Sequence, residues 1–430
     1  MRRLTPARTW RRVGGWAERG CGLFGCLGYA ILDKQTMNIK KALYIGIISV
    51  FLLTASNSQA AQASSSDNRY FIKSTSQLWA KSFNARRHFD GGFTADLSDF
   101  QLKLAKMFGL EVEPVRKLTI LLEPAQPSGP SRTPKPSKGP TSQIPWGVRM
   151  IYDDSALTKT SGGENIKVAI LDTGIDKAHP DLKNRVSSCK DFSSASSPLI
   201  DGKCDDRNGH GTHVAGIIAA DGGLGKGIYG MAPQTSVLAY KVCGNNGSCY
   251  ADDIAAGLRD AADSGAQVIN LSLGSDAEIP FIADAVSYAV GKGVIVVAAA
   301  GNDGPYQDSI DFPASLVKAI SVGAIDSSVA IPDWSARGNN SLSVPYLKES
   351  RDMEFAAPGV SVESTWPGGG YSVLSGTSMS APHISGFIAK MWQVESEDPA
   401  AATRDLLHRF SQDIGITGDD DASGWGVPIL

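Results

Sequence analysis

Residues 167–172 read KVAILD, an apolar run that ends in an aspartate. Similar short apolar runs follow it and alternate with stretches of helical pattern: THVAGIIAA, VLAYKV, DDIAAGLRDAADSG, QVINLSL, FIADAVSYAVGKG and VIVVAAAG. Strands with no polar positions are typical of a parallel sheet that is covered on both faces. We therefore predict an α/β fold with a mostly parallel sheet and helices on both faces, and a site at the carboxyl ends of the strands.

Three polar residues stand where these predicted elements begin or end. Asp172 lies in LDTGID, His210 lies in NGHGTHVAG before a predicted helix, and Ser378 lies in SGTSMSAPH at the start of another. Peptide hydrolysis by serine requires a hydroxyl nucleophile, an imidazole base and a carboxylate that orients the base. Taken singly, an aspartate after a strand is usually a turn residue and a serine before a helix is usually a cap. Together, the three residues offer one candidate for each role of a catalytic triad.

The motifs around these residues resemble the subtilisin family, from about Gln143 to the end of the chain. The matching stretches are WGV (146–148), LDTGID (171–176), HPDL (179–182), GHGTHVAG (209–216), YGMAP (229–233), SLG (272–274), AAAGN (298–302), APG (357–359) and SGTSMSAPH (375–383). The region from Cys189 to Cys204 looks most like the secreted, cold-environment bacterial subtilisins. The order Asp, His, Ser is itself the order of that family.

The resemblance implies a role for each residue. Ser378 would attack the carbonyl carbon, His210 would transfer the proton and Asp172 would hold the imidazole tautomer. Asn302 and the backbone N–H of Ser378 would donate to the oxyanion; loss of such an asparagine costs roughly 3 to 4 kcal/mol, a magnitude taken from a subtilisin. The residues expected to bind the substrate are Ser272, Leu273, Gly274, Ala299, Gly301, Asp303 and Asp311.

Asp311 departs from the glycine that many subtilisins have at this position. A carboxylate in an otherwise apolar pocket favours a cationic side chain, because an ion pair relieves the cost of burying the charge. Asp303 at the rim would add to the same field. The sequence therefore suggests a preference for Lys or Arg before the scissile bond, unless Asp311 points to solvent or binds calcium.

Calcium is the expected cofactor, because extracellular members of the family commonly hold surface loops with oxygen-ligated calcium. Gln143 and Asp181 match ligands of the family's strong site. The glycine-rich loop at residues 221–227 lacks the asparagine expected there.

The chain of 430 residues, 42% of them apolar, is long enough for one large core and a smaller domain. The net charge is -3, and acidic residues clearly outnumber basic ones after residue 142. This balance argues against a nucleic-acid partner. We expect a monomer that acts on polypeptides.

The N-terminal segments indicate export. Residues 37–60 have a basic start, an apolar run and small residues at the end, as in a signal peptide cleaved after Ala60 or Ala63. A membrane span is the alternative, but the run of about 14 apolar residues is short against the roughly 20 required. Residues 1–36 precede Met37, the better start, and are expected to be untranslated. The mature protein would be extracellular, with no membrane segment.

A precursor organisation is expected after the signal peptide. Residues 61–123 contain RYFIKS, a helical stretch and KLTILLE, and they predict a small α+β domain. Its position resembles that of the subtilisin propeptide, so the resemblance implies that it inhibits the enzyme. Residues 124–141 form a Pro/Ser/Gly-rich linker that is easily cut, and residues 142–430 form the peptidase. Self-processing after Lys138 would fit a basic preference, whereas cleavage after Thr141 would match the family's usual mature start.

Four cysteines lie in the predicted peptidase and form two local pairs, Cys189 with Cys204 and Cys243 with Cys249. Disulfides are favoured in an exported protein. A metal site is the alternative, but neither pair has Cys-x-x-Cys spacing.

Two other functions were considered. A catalytically silent subtilisin-like scaffold would show a broken triad, and no break is visible. An esterase of the α/β-hydrolase type would need Gly-x-Ser-x-Gly and the order Ser, Asp, His, whereas Ser378 lies in Gly-Thr-Ser-Met-Ser.

Overall fold

The computed structural model describes residues 68–123, 136–340 and 348–430. The expected signal peptide, the segment before it and most of the linker lie outside the described residues. None of the described helices is both long and apolar enough to span a bilayer.

Residues 68–121 form a small domain with its own core. An antiparallel sheet of four strands, in the order β2-β3-β1-β4, packs with two helices, α1 and α2. A capping box at Ser98 and Gln101 begins α2. The bounds are β1 Arg69–Ile72, α1 Gln77–Ser82, β2 Arg87–Phe89, β3 Gly92–Asp96, α2 Asp99–Met107, β4 Val112–Pro114 and, leaving this sheet, β5 Lys117–Ile120. The predicted α+β architecture is confirmed.

The larger body is built on an eight-stranded sheet with the order β15-β14-β13-β11-β6-β9-β7-β8. Only the pair β7–β8 is antiparallel, so the predicted mostly parallel sheet is confirmed. Its strands are β6 Lys167–Asp172, β7 Val186–Asp191, β8 Ile200–Asp201, β9 Ser236–Lys241, β11 Val268–Leu271, β13 Ile295–Ala299, β14 Ala319–Ile325 and β15 Phe355–Pro358. The shorter strands are β10 Ser248–Tyr250, β12 Leu273–Gly274, β16 Val362–Trp366, β17 Gly370–Leu374, β18 Ser411–Gln412 and β19 Val427–Pro428.

Helices cover both faces of this sheet, as the continuously apolar strands require. Val168 and Ile170 of β6 face one core, whereas Ala169 and Leu171 face the other, because successive side chains of a strand point to opposite faces. Helices α4 and α7 pack in the first core, and α5 and α6 pack in the second. The bounds are α3 Trp146–Tyr152, α4 His210–Ala219, α5 Ala251–Asp263, α6 Pro280–Gly291, α7 Thr377–Met391 and α8 Pro399–Phe410.

Candidate active site

The ends of one strand and the starts of two helices bring the three predicted catalytic residues together. Asp172 is the last residue of β6 in the middle of the sheet, His210 is the first residue of α4, and Ser378 is the second residue of α7. Gly211 allows α4 to begin this close to β6, because a β-carbon there would collide with the carbonyl oxygen of Gly174. The predicted edge of the sheet is thus where the site lies.

Asp172 and His210 form a buried pair. His210 Nδ1 lies 2.8 and 3.0 Å from the two carboxylate oxygens of Asp172, and the two residues are at most 1% exposed. Because a carboxylate only accepts hydrogen bonds, Nδ1 carries the proton and Nε2 is left as the proton acceptor. His210 Nε2 has no hydrogen-bond partner among the described residues. This is the orientation that a general base requires.

His213, one turn further along α4, is buried and has a different role. Its Nε2 lies 3.0 Å from the carbonyl oxygen of Val362 and 3.1 Å from that of Ser372. Burial lowers the pKa of His213 to about 3, so the ring is neutral and structural.

Ser378 Oγ contacts both the body and the N-terminal domain. It donates to the carbonyl oxygen of Ser272 at 2.9 Å, and it accepts from the backbone N–H of Leu121 at 2.9 Å. The hydroxyl must rotate from Ser272 towards His210 before the imidazole can take its proton.

Asn302 carries an unused donor beside Ser378. Its Oδ1 accepts from the backbone N–H and from Oγ1 of Thr377, both at 3.0 Å, and this orients the amide. Its Nδ2 is buried with no partner among the described residues. The backbone N–H of Ser378 donates to the carbonyl oxygen of Leu121 at 3.3 Å. The two donors are the candidate oxyanion site, and Thr377 is a supporting residue that the sequence did not reveal.

The N-terminal domain places its own chain in the cleft, which the sequence did not predict. Strand β5 lies between β10 and β12, with Leu118 opposite Cys249 and Ile120 opposite Leu273. Beyond the strand, the N–H of Glu123 donates to the carbonyl oxygen of Ser375 at 2.8 Å. The chain therefore passes the nucleophile as an extended strand, with the Leu121–Leu122 bond next to Ser378. The apolar run KLTILLE was the sequence signal for this strand. An apolar run alone does not indicate which strand edge it pairs with.

The Leu121 side chain lies against Gly274, one of the residues of the expected substrate pocket. Gly274 and Gly301 approach the Asp311 carboxylate so closely that a β-carbon at either would contact it, and a β-carbon at Gly274 would also contact Leu121 Cδ1. Asp311 is only 3% exposed, so it does not point to solvent. Ser272 and Leu273 lie beside the nucleophile and β5, whereas Ala299 is buried in the core at the end of β13.

Asp311 has no counterion among the residues that the structure describes. The carboxylates of Asp276, Asp303 and Asp311 offer ligand atoms within 4.8 Å of one another. Burial, together with Asp303 and Asp276, raises the pKa of Asp311 to about 7. No basic side chain of the described residues pairs with Asp311. A cationic side chain of a substrate that entered the pocket could therefore form an ion pair with it.

Both cysteine pairs are joined as expected. Cys189 bonds Cys204, and Cys243 bonds Cys249. Cys249 lies in β10, so the second bridge supports the edge on which β5 pairs.

Gln143 and Asp181 meet at the loop of residues 221–227. Gln143 Nε2 donates to the carbonyl oxygen of Gly225 at 2.6 Å, while Asp181 Oδ1 is buried with no hydrogen-bond partner among the described residues. A β-carbon at Gly223 or Gly227 would collide with that oxygen. An unpartnered carboxylate oxygen beside loop carbonyls is the donor set that calcium prefers.

Comparison with known proteins agrees with this geometry. The profile of the Subtilase family matches residues 163–426. A subtilisin of Bacillus sp. (strain TA39) is 41% identical over 403 residues, which are 88% of this chain and 94% of that protein. Two solved structures, the S41 psychrophilic protease and sphericase, are 44% and 45% identical, each with a TM-score of 0.65 and with 67% of this chain and 99% of the other covered. The chain therefore belongs to the subtilase family and is a serine endopeptidase.

Proposed function

We propose that this chain is an exported, self-processing precursor of a serine endopeptidase, with Asp172, His210 and Ser378 as its triad. The observation that carries the proposal is the strand of its own N-terminal domain in the cleft. The carbonyl oxygen of Leu121 accepts from the N–H of Ser378, and Ser378 Oγ contacts the same residue. This is how a substrate would present its scissile bond.

The first step is intramolecular. Ser378 Oγ bonds the carbonyl carbon of Leu121 while His210 Nε2 takes the hydroxyl proton, and Asp172 stabilises the resulting imidazolium. Asn302 Nδ2 and the N–H of Ser378 stabilise the oxyanion. The bond to Leu122 breaks as His210 returns the proton to the leaving amine, and water then releases the acyl group by the same route.

This processing site differs from the two expected from sequence. Lys138 follows Ser137, whose backbone N–H and carbonyl oxygen both pair with the backbone of Tyr371. The backbone N–H of Thr141 donates to the Glu363 carboxylate at 3.0 Å. Cleavage after Lys138 or Thr141 would require residues 137–141 to detach from the body. We therefore propose the first cut after Leu121, with any trimming of the linker following it.

Polypeptides with Lys or Arg before the scissile bond are the proposed preferred substrates in trans. Asp311, Asp303 and Asp276 supply three carboxylates at the pocket without a basic partner among the described residues. Leu121 occupies the same pocket in cis, where tethering compensates for a less suitable side chain.

Calcium is the proposed structural cofactor. Asp181 Oδ1, the Gln143 side chain and the carbonyl oxygens of Gly225 and Gly227 would hold it, and it would stabilise the loop without entering the reaction. Chelation should lower the melting temperature, and added calcium should restore it. Asp181→Asn should abolish that response; an unchanged response would contradict the assignment.

Export rests on the layout of residues 37–60, which are outside the described residues. Signal removal followed by self-cleavage would give an extracellular enzyme with its N-terminal domain as inhibitor.

The decisive experiment compares the secreted wild type with Ser378→Ala on casein, with N-terminal sequencing of both. We expect the wild type to cleave casein and to yield an N-terminus at Leu122 or within the linker after it. The variant should remain an inactive precursor. Equal activity of the two, or equal maturation without activity, would reject the triad and favour a scaffold.

A further inference from the structure

A second contact joins the N-terminal domain to the body, outside the cleft, and it consists of buried charges. Arg69 of β1, Arg87 of β2 and the preceding Arg86 reach Asp252 and Asp253 of α5. Arg69 and Arg87 are 4% and 9% exposed, and both aspartates are fully buried. The group is shielded from solvent, so its interactions differ from those of a surface ion pair.

Among its described residues, the body contributes no cation of its own to these aspartates. Every ion pair that the described residues make with Asp252 or Asp253 comes from the N-terminal domain. Both aspartates lie in the first turn of α5, where the helix dipole favours negative charge. The two adjacent carboxylates of the body are therefore neutralised by cations from the N-terminal domain.

The geometry around the aspartates suits guanidinium groups. Arg87 Nη2 donates to Asp253 Oδ1 at 2.8 Å and to the carbonyl oxygens of Phe192 and Pro198 at 2.9 and 2.7 Å. Arg69 Nη1 lies 2.8 Å from Asp253 Oδ2, and its guanidinium stacks over the Tyr250 ring at 3.9 Å. Arg87 Nε also donates to Asp253 Oδ1 at 3.1 Å, so the guanidinium bonds from two nitrogens of one plane. A lysine ammonium donates from a single nitrogen and could not reproduce this arrangement.

We propose that Asp252, Asp253 and the carbonyl oxygens of Phe192, Ser194 and Pro198 form an arginine-binding site on the peptidase body. This site holds the N-terminal domain independently of the cleft, so the domain stays bound after the connecting chain has been cut. The inference rests on the proposed role of that domain as an inhibitory propeptide. It identifies the residues that give the domain its affinity and selectivity for the body. Substitution of one partner of a buried ion pair leaves the other charge buried and unpaired. These residues should therefore contribute most of the affinity that keeps the N-terminal domain on the body.

The test separates retention from self-processing. A recognition sequence for a site-specific protease is inserted between Ser128 and Gly129 of the Ser378→Ala chain, and the added protease makes the cut. Dilution of the cut protein followed by size-exclusion chromatography gives the dissociation constant of the N-terminal fragment. Arg87→Met and Asp253→Asn should each raise this constant about 30-fold or more.

Matched controls keep the result specific. Asp405→Asn changes an exposed acid on α8, and Lys106→Met changes an exposed cation on α2 of the N-terminal domain. Both should change the constant less than about twofold. The double variant Arg87→Met/Asp253→Asn should lose much less than the product of the single effects. Unchanged retention in Arg87→Met, or additive losses in the double variant, would overturn the proposal.

A measurement on the unsubstituted site covers the case in which the variants fail to fold. Once the fragment leaves, its arginines and the two aspartates are exposed, and salt screens their mutual attraction. The dissociation constant of the cut complex should therefore rise about threefold or more between 0.1 and 1 M NaCl. An unchanged constant would contradict a site that binds through charge. Because catalysis is absent throughout, failure of this test would leave self-cleavage at Leu121 untouched, and failure of self-cleavage would leave this test unaffected.

Discussion

The N-terminal domain contacts the body in two different ways. In the cleft, β5 pairs through backbone hydrogen bonds, Leu118 packs in a core of the body, and Leu121 lies against Gly274. At α5, three arginines meet two buried aspartates through their side chains. Backbone pairing accepts many sequences, as a peptidase requires, whereas the charged contact accepts few. Cleavage acts only on the first contact, so chemistry and retention should be separable by mutation.

The largest separation is expected from Asn302→Ala. It removes the unpartnered Nδ2 donor, and we expect kcat for peptide substrates and the rate of self-cleavage to fall by roughly 10²- to 10³-fold, a range known from a subtilisin. KM and fragment retention should change little, because the donor acts on the developing oxyanion. Steady-state kinetics and the size-exclusion assay measure the two effects. A comparable rise in KM would mean that Asn302 contributes to ground-state binding instead.

Asp311→Asn tests what the cleft selects. The substitution keeps the size of the side chain and removes its charge, so the ratio of kcat/KM for a Lys-ending peptide to that for a matched Leu-ending peptide should fall by about 10- to 100-fold. Asp284→Asn, which is exposed on α6, is the control and should leave the ratio unchanged. Equal or better cleavage of the Leu or Phe peptide by the wild type would reject the basic preference.

The sequence predicted the body better than it predicted the contacts of the N-terminal domain. Asp172, His210 and Ser378 could be placed because each follows or begins an element with a strong apolar pattern, and those elements meet at one edge of a parallel sheet.

Arg69, Arg86 and Arg87 looked like ordinary surface charges of a small domain. Their partners Asp252 and Asp253 looked like acidic residues at a helix start. Nothing local marks a charge that becomes buried between two bodies, because its partner is more than 150 residues away.

The position of β5 was missed for a related reason. KLTILLE stood out as an apolar run, but strand pairing across domains depends on which edges are free, here those of β10 and β12. The sequence singled out Asp311 as a departure from the glycine of many subtilisins, whereas its burial and the absence of a counterion among the described residues required the structure.

The selectivity of the cleft should also depend on pH. Because the pKa of Asp311 is raised to about 7, its carboxyl is neutral below this pH and charged above it. The Lys-to-Leu ratio should therefore rise about tenfold or less between pH 6 and pH 8.5, and the rise should disappear in Asp311→Asn. A ratio of two substrates cancels every effect of pH that the two substrates share. A ratio that is flat in the wild type would mean that Asp311 does not titrate in contact with the substrate.

The smallest effect concerns the three arginines themselves. Arg86 lies 3.5 Å from Asp253 Oδ1, against 2.8 Å for Arg87, and burial together with repulsion from Arg69 and Arg87 lowers the pKa of Arg86. Its charge is thus poorly compensated, and its main bonds go to the carbonyl oxygens of Phe192 and Ser194. Arg86→Met should raise the dissociation constant of the cut fragment by only about two- to fivefold, well below the effect of Arg87→Met. If both substitutions weaken retention equally, the affinity of the site depends on the number of positive charges and not on the directed hydrogen bonds of Arg87.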